Sequence, residues 1–313
     1  MKKVVDFFPY FDPTGREILE LRVNSLKDHV DEFLICESNK TQSGIPIEYE
    51  LRKTIKECNL PEDKIKIIEL KIPEDKDLDI QKIDKFNCYE NNSVNSNSVM
   101  ARTRERMQKD AILSVLDDYD NNTVFIHSDM DEIVKTEAIT CICQMVKLNQ
   151  QIIIKIPLVH LEGRADLRVH QKNSDNPKPW DGGMFFCTKA QLKRATPSQI
   201  RSNVYNPFQI SCLTQDGNKI EDLGWHFSWM GPAEKRLKKC ESFTHYDDSF
   251  SFLITEKYGN KNTKNFLKEM EVKEGQIPPS GDKNMVLRKY PVENLPKEIF
   301  NLPRVKEYLL PNS

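Results

Sequence analysis

The segment Thr123–Ile133, TVFIHSDMDEI, runs an apolar stretch from Val124 to Ile126 straight into three acids, Asp129, Asp131 and Glu132. In extended backbone, residues two apart share a side, so Asp129 and Asp131 are predicted to converge on one point while Met130 faces away. Two hard carboxylates suit Mn²⁺ or Mg²⁺, which keep positions open for phosphate oxygens. Ligands of an open parallel sheet bind at the carboxyl ends of its strands, which is where this motif falls. The same spacing also describes an acidic turn that caps the following helix. It would further serve a phosphohydrolase with Asp129 as nucleophile, although the haloacid dehalogenase type wants Thr or Val four residues on, where this chain has Ile133.

Positioning those acids requires a substantial α/β core. The chain has 313 residues, with 46 Lys+Arg against 48 Asp+Glu and a formal charge of −2, which argues against a nucleic-acid scaffold. With 38% hydrophobic and 30% charged residues it reads as soluble and globular. No apolar run is long enough to span a bilayer. Eight cysteines without a C-x-x-C pair fit reduced thiols and a cytoplasmic setting. Strands are predicted at Lys3–Phe8, Phe33–Cys36, Lys64–Leu70 and Thr123–His127. Helices are predicted over Thr14–Val30, where Thr14 and Glu17 have capping-box spacing, about Glu48–Cys58, Val99–Leu116 and from Thr136. This alternation implies a mostly parallel sheet with helices on both faces. The polar stretch 71–97 reads as a mobile lid, and Gln151–His160 as the strand that opens a less regular second half. The proline-rich tail from Gly275 reads as an extended wrap with one short helix at most.

In GWHFSW, period two places Trp225, Phe227 and Trp229 on one face and turns His226 and Ser228 to the other. His226 is then either a neutral imidazole facing a cleft or a histidine satisfied by a backbone carbonyl. Arg102 and Arg106, at i and i+4 on the helix before the acidic strand, form one stripe that either grips phosphate oxygens or is a solvated face.

Several blocks together resemble glycosyltransferase family 17, the β-1,4-mannosyl-glycoprotein 4-β-N-acetylglucosaminyltransferase family. They are VVDFFPYFDPTGREILELRVNSLKDHVDEFLICES, SDMDEI, GWHFSWMG and ESFTHYD, in the same order over roughly residues 3–247. The resemblance implies a GT-A fold, Rossmann-like with a mostly parallel central sheet and a less regular acceptor lobe. It also implies a UDP-sugar donor, a Mn²⁺ or Mg²⁺ ion, inversion at the anomeric carbon and a glycan acceptor, with GlcNAc as the family's default sugar. The vertebrate members carry a membrane anchor that this sequence does not display, so a cytosolic microbial or viral glycan is the expected acceptor.

On that reading residues 1–150 form the nucleotide-sugar half, 151–260 the acceptor half and 261–313 an extension packed on the core. Asp129, Asp131 and His226 would hold the metal. Arg102 and Arg106 would hold the diphosphate, with Asp129 also on the donor, Glu37 and Ser38 at the ribose or base, and Phe8, Pro9 and Tyr10 walling the nucleotide. An inverting transfer needs one general base, for which Asp222 ranks first, then Glu221 and Asp181. Trp180 beside Gly182 and Gly183 would stack on the acceptor sugar, and His245 is left as a supporting residue. A degenerate protein that only binds glycans is the non-enzymatic alternative.

Overall fold

Val4–Pro9 (β1), VVDFFP, is buried along its whole length, as a strand flanked by layers on both faces must be. The computed structural model describes residues 3–11, 15–78, 96–149, 151–202, 208–209, 212–213, 219–220, 223–242, 272–280 and 282–311. After β1 come helix α1 (Arg16–Leu26), β2 (Glu32–Ser38), α2 (Leu51–Glu57), β3 (Ile65–Leu70), α3 (Ser96–Asp110) and β4 (Val124–His127). There follow β5 (Glu132–Val134), α4 (Thr136–Leu148), β6 (Ile154–Lys155), β7 (Val159–Glu162), β8 (Leu167–Gln171) and β9 (Phe185–Thr188). The remainder holds α5 (Lys189–Leu192), α6 (Pro197–Arg201), β10 (Phe208–Gln209), β11 (Cys212–Leu213), β12 (Lys219–Ile220), β13 (Gly224–Ser228), α7 (Ala233–Ser242), β14 (Met285–Lys289), α8 (Glu298–Asn301) and α9 (Pro303–Leu309).

The main sheet has the order β10-β6-β9-β4-β1-β2-β3. Its pairs β1–β2, β1–β4, β2–β3 and β6–β10 are parallel, and only β9 runs against its neighbours β4 and β6. The predicted α/β class with a mostly parallel sheet is therefore what the chain adopts. A second sheet, β14-β8-β7-β13-β5, is antiparallel except where β13 lies alongside β7. β4 ends in the first sheet and β5 begins in the second. The acidic motif is the short joint between them.

Helix α1 buries Ile18, Leu19, Leu21, Val23 and Leu26, together with the charged Arg22. α4 buries Ile139, Ile142, Cys143 and Val146, the i, i+3, i+4, i+7 stripe of a helix lying on a sheet. The helix predicted over Val99–Leu116 ends instead at Asp110 and continues as 3-10 turns over Ala111–Ser114 and Leu116–Asp118. The tighter winding keeps Ile112 and Leu116 buried beside Phe125 and Phe185. The predicted strand 151–160 is split, because Pro157 lacks the N–H a continuous ladder needs, and its two pieces join different sheets. The tail is more regular than expected: β14 pairs with β8, and α8 and α9 follow. Pro303 starts α9 at a position where its fixed φ favours a helix, so it is an initiator rather than a breaker. Thr14 and most of the expected lid, 79–95, lie outside the described residues. The five cysteines whose side chains are described are free.

Candidate active site

The carboxyl end of β4 does not continue as extended chain. Glu132 N–H donates to the Asp129 carbonyl at 3.1 Å, closing a turn, and Phe227 N–H of β13 donates to the Asp131 carbonyl at 2.8 Å. The pleat argument that put Asp129 and Asp131 on one side therefore does not apply, because the chain must turn here to enter the second sheet. Met130 does face away, into the core.

Arg22 holds this turn from below. It is fully buried and makes a two-pronged pair with the equally buried Asp6, Nε–Oδ2 2.8 Å and Nη2–Oδ1 2.6 Å. Its remaining hydrogens go to the carbonyls of Asp129 (2.8 Å), Met130 (3.2 Å) and Glu132 (2.7 Å) and to Ser128 Oγ (2.6 Å). A guanidinium presents five donors in a rigid fork, which is why one side chain can hold three carbonyls of the turn.

Each acid meets a cation, and Arg201 serves two of them. Asp129 pairs with Arg201 at the end of α6 and lies 3.4 Å from Lys109 Nζ of α3. Burial alone would push the Asp129 carboxyl up, but Arg201 and Lys109 outweigh it and hold the group below the usual carboxylate range. Asp131 meets Lys239 Nζ of α7 at 3.1 Å through Oδ2 and His226 Nε2 of β13 at 3.7 Å through Oδ1. Glu132, fully buried, accepts from Trp180 Nε1 (2.7 Å), Arg201 Nη1 (3.1 Å) and the Asp129 N–H (3.0 Å). Gly183 is required beside it, since a Cβ there would stand 1.8 Å from Glu132 Oε1.

His226 is the register partner of Glu132 on one side and His160 on the other. Its ring stacks on His160 (centroids 5.2 Å) and lies 4.3 Å from Trp180. Burial lowers its pKa, against the pull of Asp131 and Glu132, so the imidazole is neutral at pH 7. Beyond His160, the buried Glu162 accepts from the Ser280 hydroxyl at 3.1 Å, and desolvation raises its pKa to about 7.

Other predicted residues are placed less centrally. Phe8 and Tyr10 are core residues, and Phe8 is covered by the Arg22 guanidinium 4.1 Å from its ring centroid, so Phe8 offers no wall to a ligand. Pro9 ends β1 and is likewise buried. Glu37 accepts the N–H groups of Glu50 (2.6 Å) and Leu51 (2.8 Å) and so anchors the start of α2. Ser38 Oγ donates to the Lys40 carbonyl and accepts from Gln108 Nε2, which ties α3 to β2. Arg102 and Arg106 are half-buried, and their stripe continues at i+3 to Lys109, the α3 cation that reaches Asp129. Asp181 and Gly182 are exposed, while the Trp180 ring is held against His226 and Glu132. Asp222, Glu221 and His245 lie outside the described residues.

Arg22, Lys109, Arg201 and Lys239 were not singled out from the sequence, and Glu132 was named there as one of the three acids without a role. Arg22 was legible in principle, because it falls on the buried face of α1 three residues after Leu19. Arg201 and Lys239 come from 72 and 108 residues beyond the acids they serve, with no local spacing to announce them.

Among the described residues no group of three His, Cys, Asp or Glu is gathered to hold a metal ion. Asp131 and His226 do stand together, and His226 Nδ1 is buried without a described partner. One carboxylate and one imidazole fit a divalent ion that takes its other oxygens from a phosphate substrate and water. Asp129, two residues earlier, is paired with Arg201 and Lys109.

Residues 10–157 match glycosyltransferase family 17. The matched span takes in the opening blocks from Tyr10 through SDMDEI, bearing out the resemblance there, and the protein is a glycosyltransferase. The chain is also similar to solved structures at low identity. One is 4-diphosphocytidyl-2C-methyl-D-erythritol synthase, at 10% identity and TM-score 0.36 over 70% of this chain and 93% of that one. A second is mouse xyloside xylosyltransferase 1, at 12% and 0.33 over 65% and 71%. A third is GalNAc-T7 with UDP, GalNAc and Mn²⁺, at 12% and 0.34 over 62% of this chain and 36% of that one. No curated protein matches the chain. No helix among the described residues is long and apolar enough to cross a membrane.

Proposed function

We propose that the protein is an inverting glycosyltransferase of the GT-A type that moves a sugar, GlcNAc by the family's default, from a UDP-sugar to a hydroxyl of a glycan. The observation that carries this reading is the joint at the end of β4, where Asp131 faces a neutral His226 and Lys239 while the neighbouring Asp129 is held by Arg201 and Lys109. A donor diphosphate is an anion that leaves with added charge, and preorganised cations at that position stabilise it. Mn²⁺ or Mg²⁺, held by Asp131 and His226, would add Lewis-acid stabilisation of the leaving diphosphate.

The chain's own groups do the remaining work. Arg22 fixes the backbone on which both aspartates ride. Glu132 orients Trp180 through its indole N–H, and Trp180 beside Gly182 and Gly183 would serve as the acceptor platform. Transfer with inversion requires a carboxylate to take the acceptor's proton as the acceptor oxygen bonds to the anomeric carbon. Asp222, then Glu221 and Asp181, remain the candidates for it. Residues 1–150 serve the donor, 151–260 the acceptor, and 261–313 buttress both.

The test is a donor screen of UDP-, GDP- and CMP-sugars against a panel of glycans, read by product mass and anomeric configuration. The expected product uses a UDP-sugar and has inverted configuration. A retained configuration, or turnover with GDP- or CMP-sugars alone, would overturn the reading.

A further inference from the structure

Lys239 occupies an unusual place for a lysine of a surface helix. Its side chain is only 14% exposed, and its ammonium stands 3.1 Å from Asp131 Oδ2, on the carboxylate that also faces His226. It is held there by more than that one contact. The ammonium lies 5.3 Å from the centroid of the Trp229 ring, a distance at which the face of an indole attracts a cation. Trp229 itself adopts φ +55°, which a bulky L-residue takes up only when its surroundings impose it. Gly231, at φ +85°, completes the bend, and a Cβ there would meet the Tyr308 ring at 2.2 Å. The strained turn after β13 thus sets an aromatic floor under a lysine that points back at the acidic joint.

A cation already in contact with Asp131 competes with any divalent ion for the same carboxylate. The same cation, already at this carboxylate, would meet a diphosphate that arrives there. We propose that Lys239 is the protein's tethered counter-cation: it neutralises Asp131 until a donor binds, and then turns its ammonium to the donor's diphosphate. When the anomeric C–O bond breaks, its electron pair stays on the diphosphate oxygen. The acceptor oxygen bonds to the same carbon and its proton passes to a carboxylate base, so the ammonium meets charge that grows during the reaction without giving up a proton. This inference rests on the reading of the joint as a nucleotide-sugar donor site.

Two binding measurements carry opposite signs and so separate this role from a structural one. Calorimetry with MnCl₂ alone, and separately with UDP in the presence of a chelator, is run on the wild-type chain, on Lys239→Gln and on Lys239→Arg. In Lys239→Gln, Mn²⁺ binding is expected to tighten about fivefold or more, since its competitor is gone. Metal-free UDP binding is expected to weaken about tenfold or more, the scale of one charge-assisted hydrogen bond. Lys239→Arg retains both wild-type affinities within about threefold, a factor worth under 1 kcal/mol. Should Lys239→Gln fail to fold, Lys239→Met keeps an unbranched side chain of similar length and gives the same test. If both affinities move in one direction, or neither moves, the counter-cation role is wrong while the donor site stands. If the wild-type chain binds neither Mn²⁺ nor UDP, the donor-site reading fails and takes this inference with it.

Discussion

Replacing Arg22 by methionine tests the claim that one buried guanidinium holds the acidic joint in place. Methionine matches the stem but leaves Asp6 fully buried and without its two-pronged partner. Removing one member of a buried pair in this way typically costs about 3–5 kcal/mol, because the surviving charge is uncompensated. The carbonyls of Asp129, Met130 and Glu132 lose their shared donor as well, which places the expected loss at the upper end of that range. Against a total stability of about 5–15 kcal/mol this is a large fraction. The assay is urea unfolding, read as a change in midpoint at constant slope. The double variant Asp6→Asn/Arg22→Met should recover part of the loss, because no unpaired charge remains. Arg52→Ala, which breaks the exposed pair with Glu69 at 3.0 Å, provides the contrast and should change stability by less than about 1 kcal/mol. A loss below about 1 kcal/mol for Arg22→Met would refute the reasoning, as would a double variant no more stable than the single one.

Glu162 should govern part of the pH dependence of stability. Its folded pKa of about 7 lies above its ordinary value of 4.5, so the folded state binds its proton more tightly, and the stabilisation, complete below pH 4.5, is lost as pH rises to about 7. The difference between wild type and Glu162→Gln should therefore change by about 3 kcal/mol across that window, and parallel stability curves from pH 4 to 8 would contradict it. Gly183→Ala drives a methyl into Glu132, displacing the carboxylate from Trp180 and Arg201. A loss of about 1–3 kcal/mol on melting is expected, and an unchanged melting temperature would show that the strand shifts freely. His226→Ala should weaken donor binding in the presence of Mn²⁺ and leave metal-free binding nearly intact, as checked by calorimetry; equal loss under both conditions would contradict the assignment.

The alternation of β1, α1, β2, β3, α3, β4 and α4 was readable because buried parallel strands are continuous apolar runs and the covering helices repeat every three to four residues. The acid motif was readable for the same reason, as charge placed abruptly at the end of such a run. Its geometry was not, because the pleat argument assumes that the strand continues, whereas Glu132 starts a strand of another sheet. The stripe Arg102–Arg106 was seen as a helical face but not followed to Lys109, its productive end. The start of α6 carries a Thr196–Gln199 capping box with Pro197 at its first turn, so the helix bearing Arg201 was itself legible. Its delivery of a guanidinium to Asp129 depends on tertiary packing across the sheet, which no local pattern encodes. The tail was underestimated because prolines were read as breakers where Pro303 begins a helix.

The central claim, that the joint after β4 binds a nucleotide-sugar donor, is tested most directly by thermal denaturation of the wild-type chain and Asp131→Asn with UDP, GDP and CMP, each with and without Mn²⁺. A ligand that binds only the folded state raises the melting temperature. A rise with UDP that Mn²⁺ enlarges is expected in the wild-type chain, and no enlargement by Mn²⁺ in an Asp131→Asn variant that melts normally on its own. The same rise in both proteins, or none with any nucleotide, would contradict it.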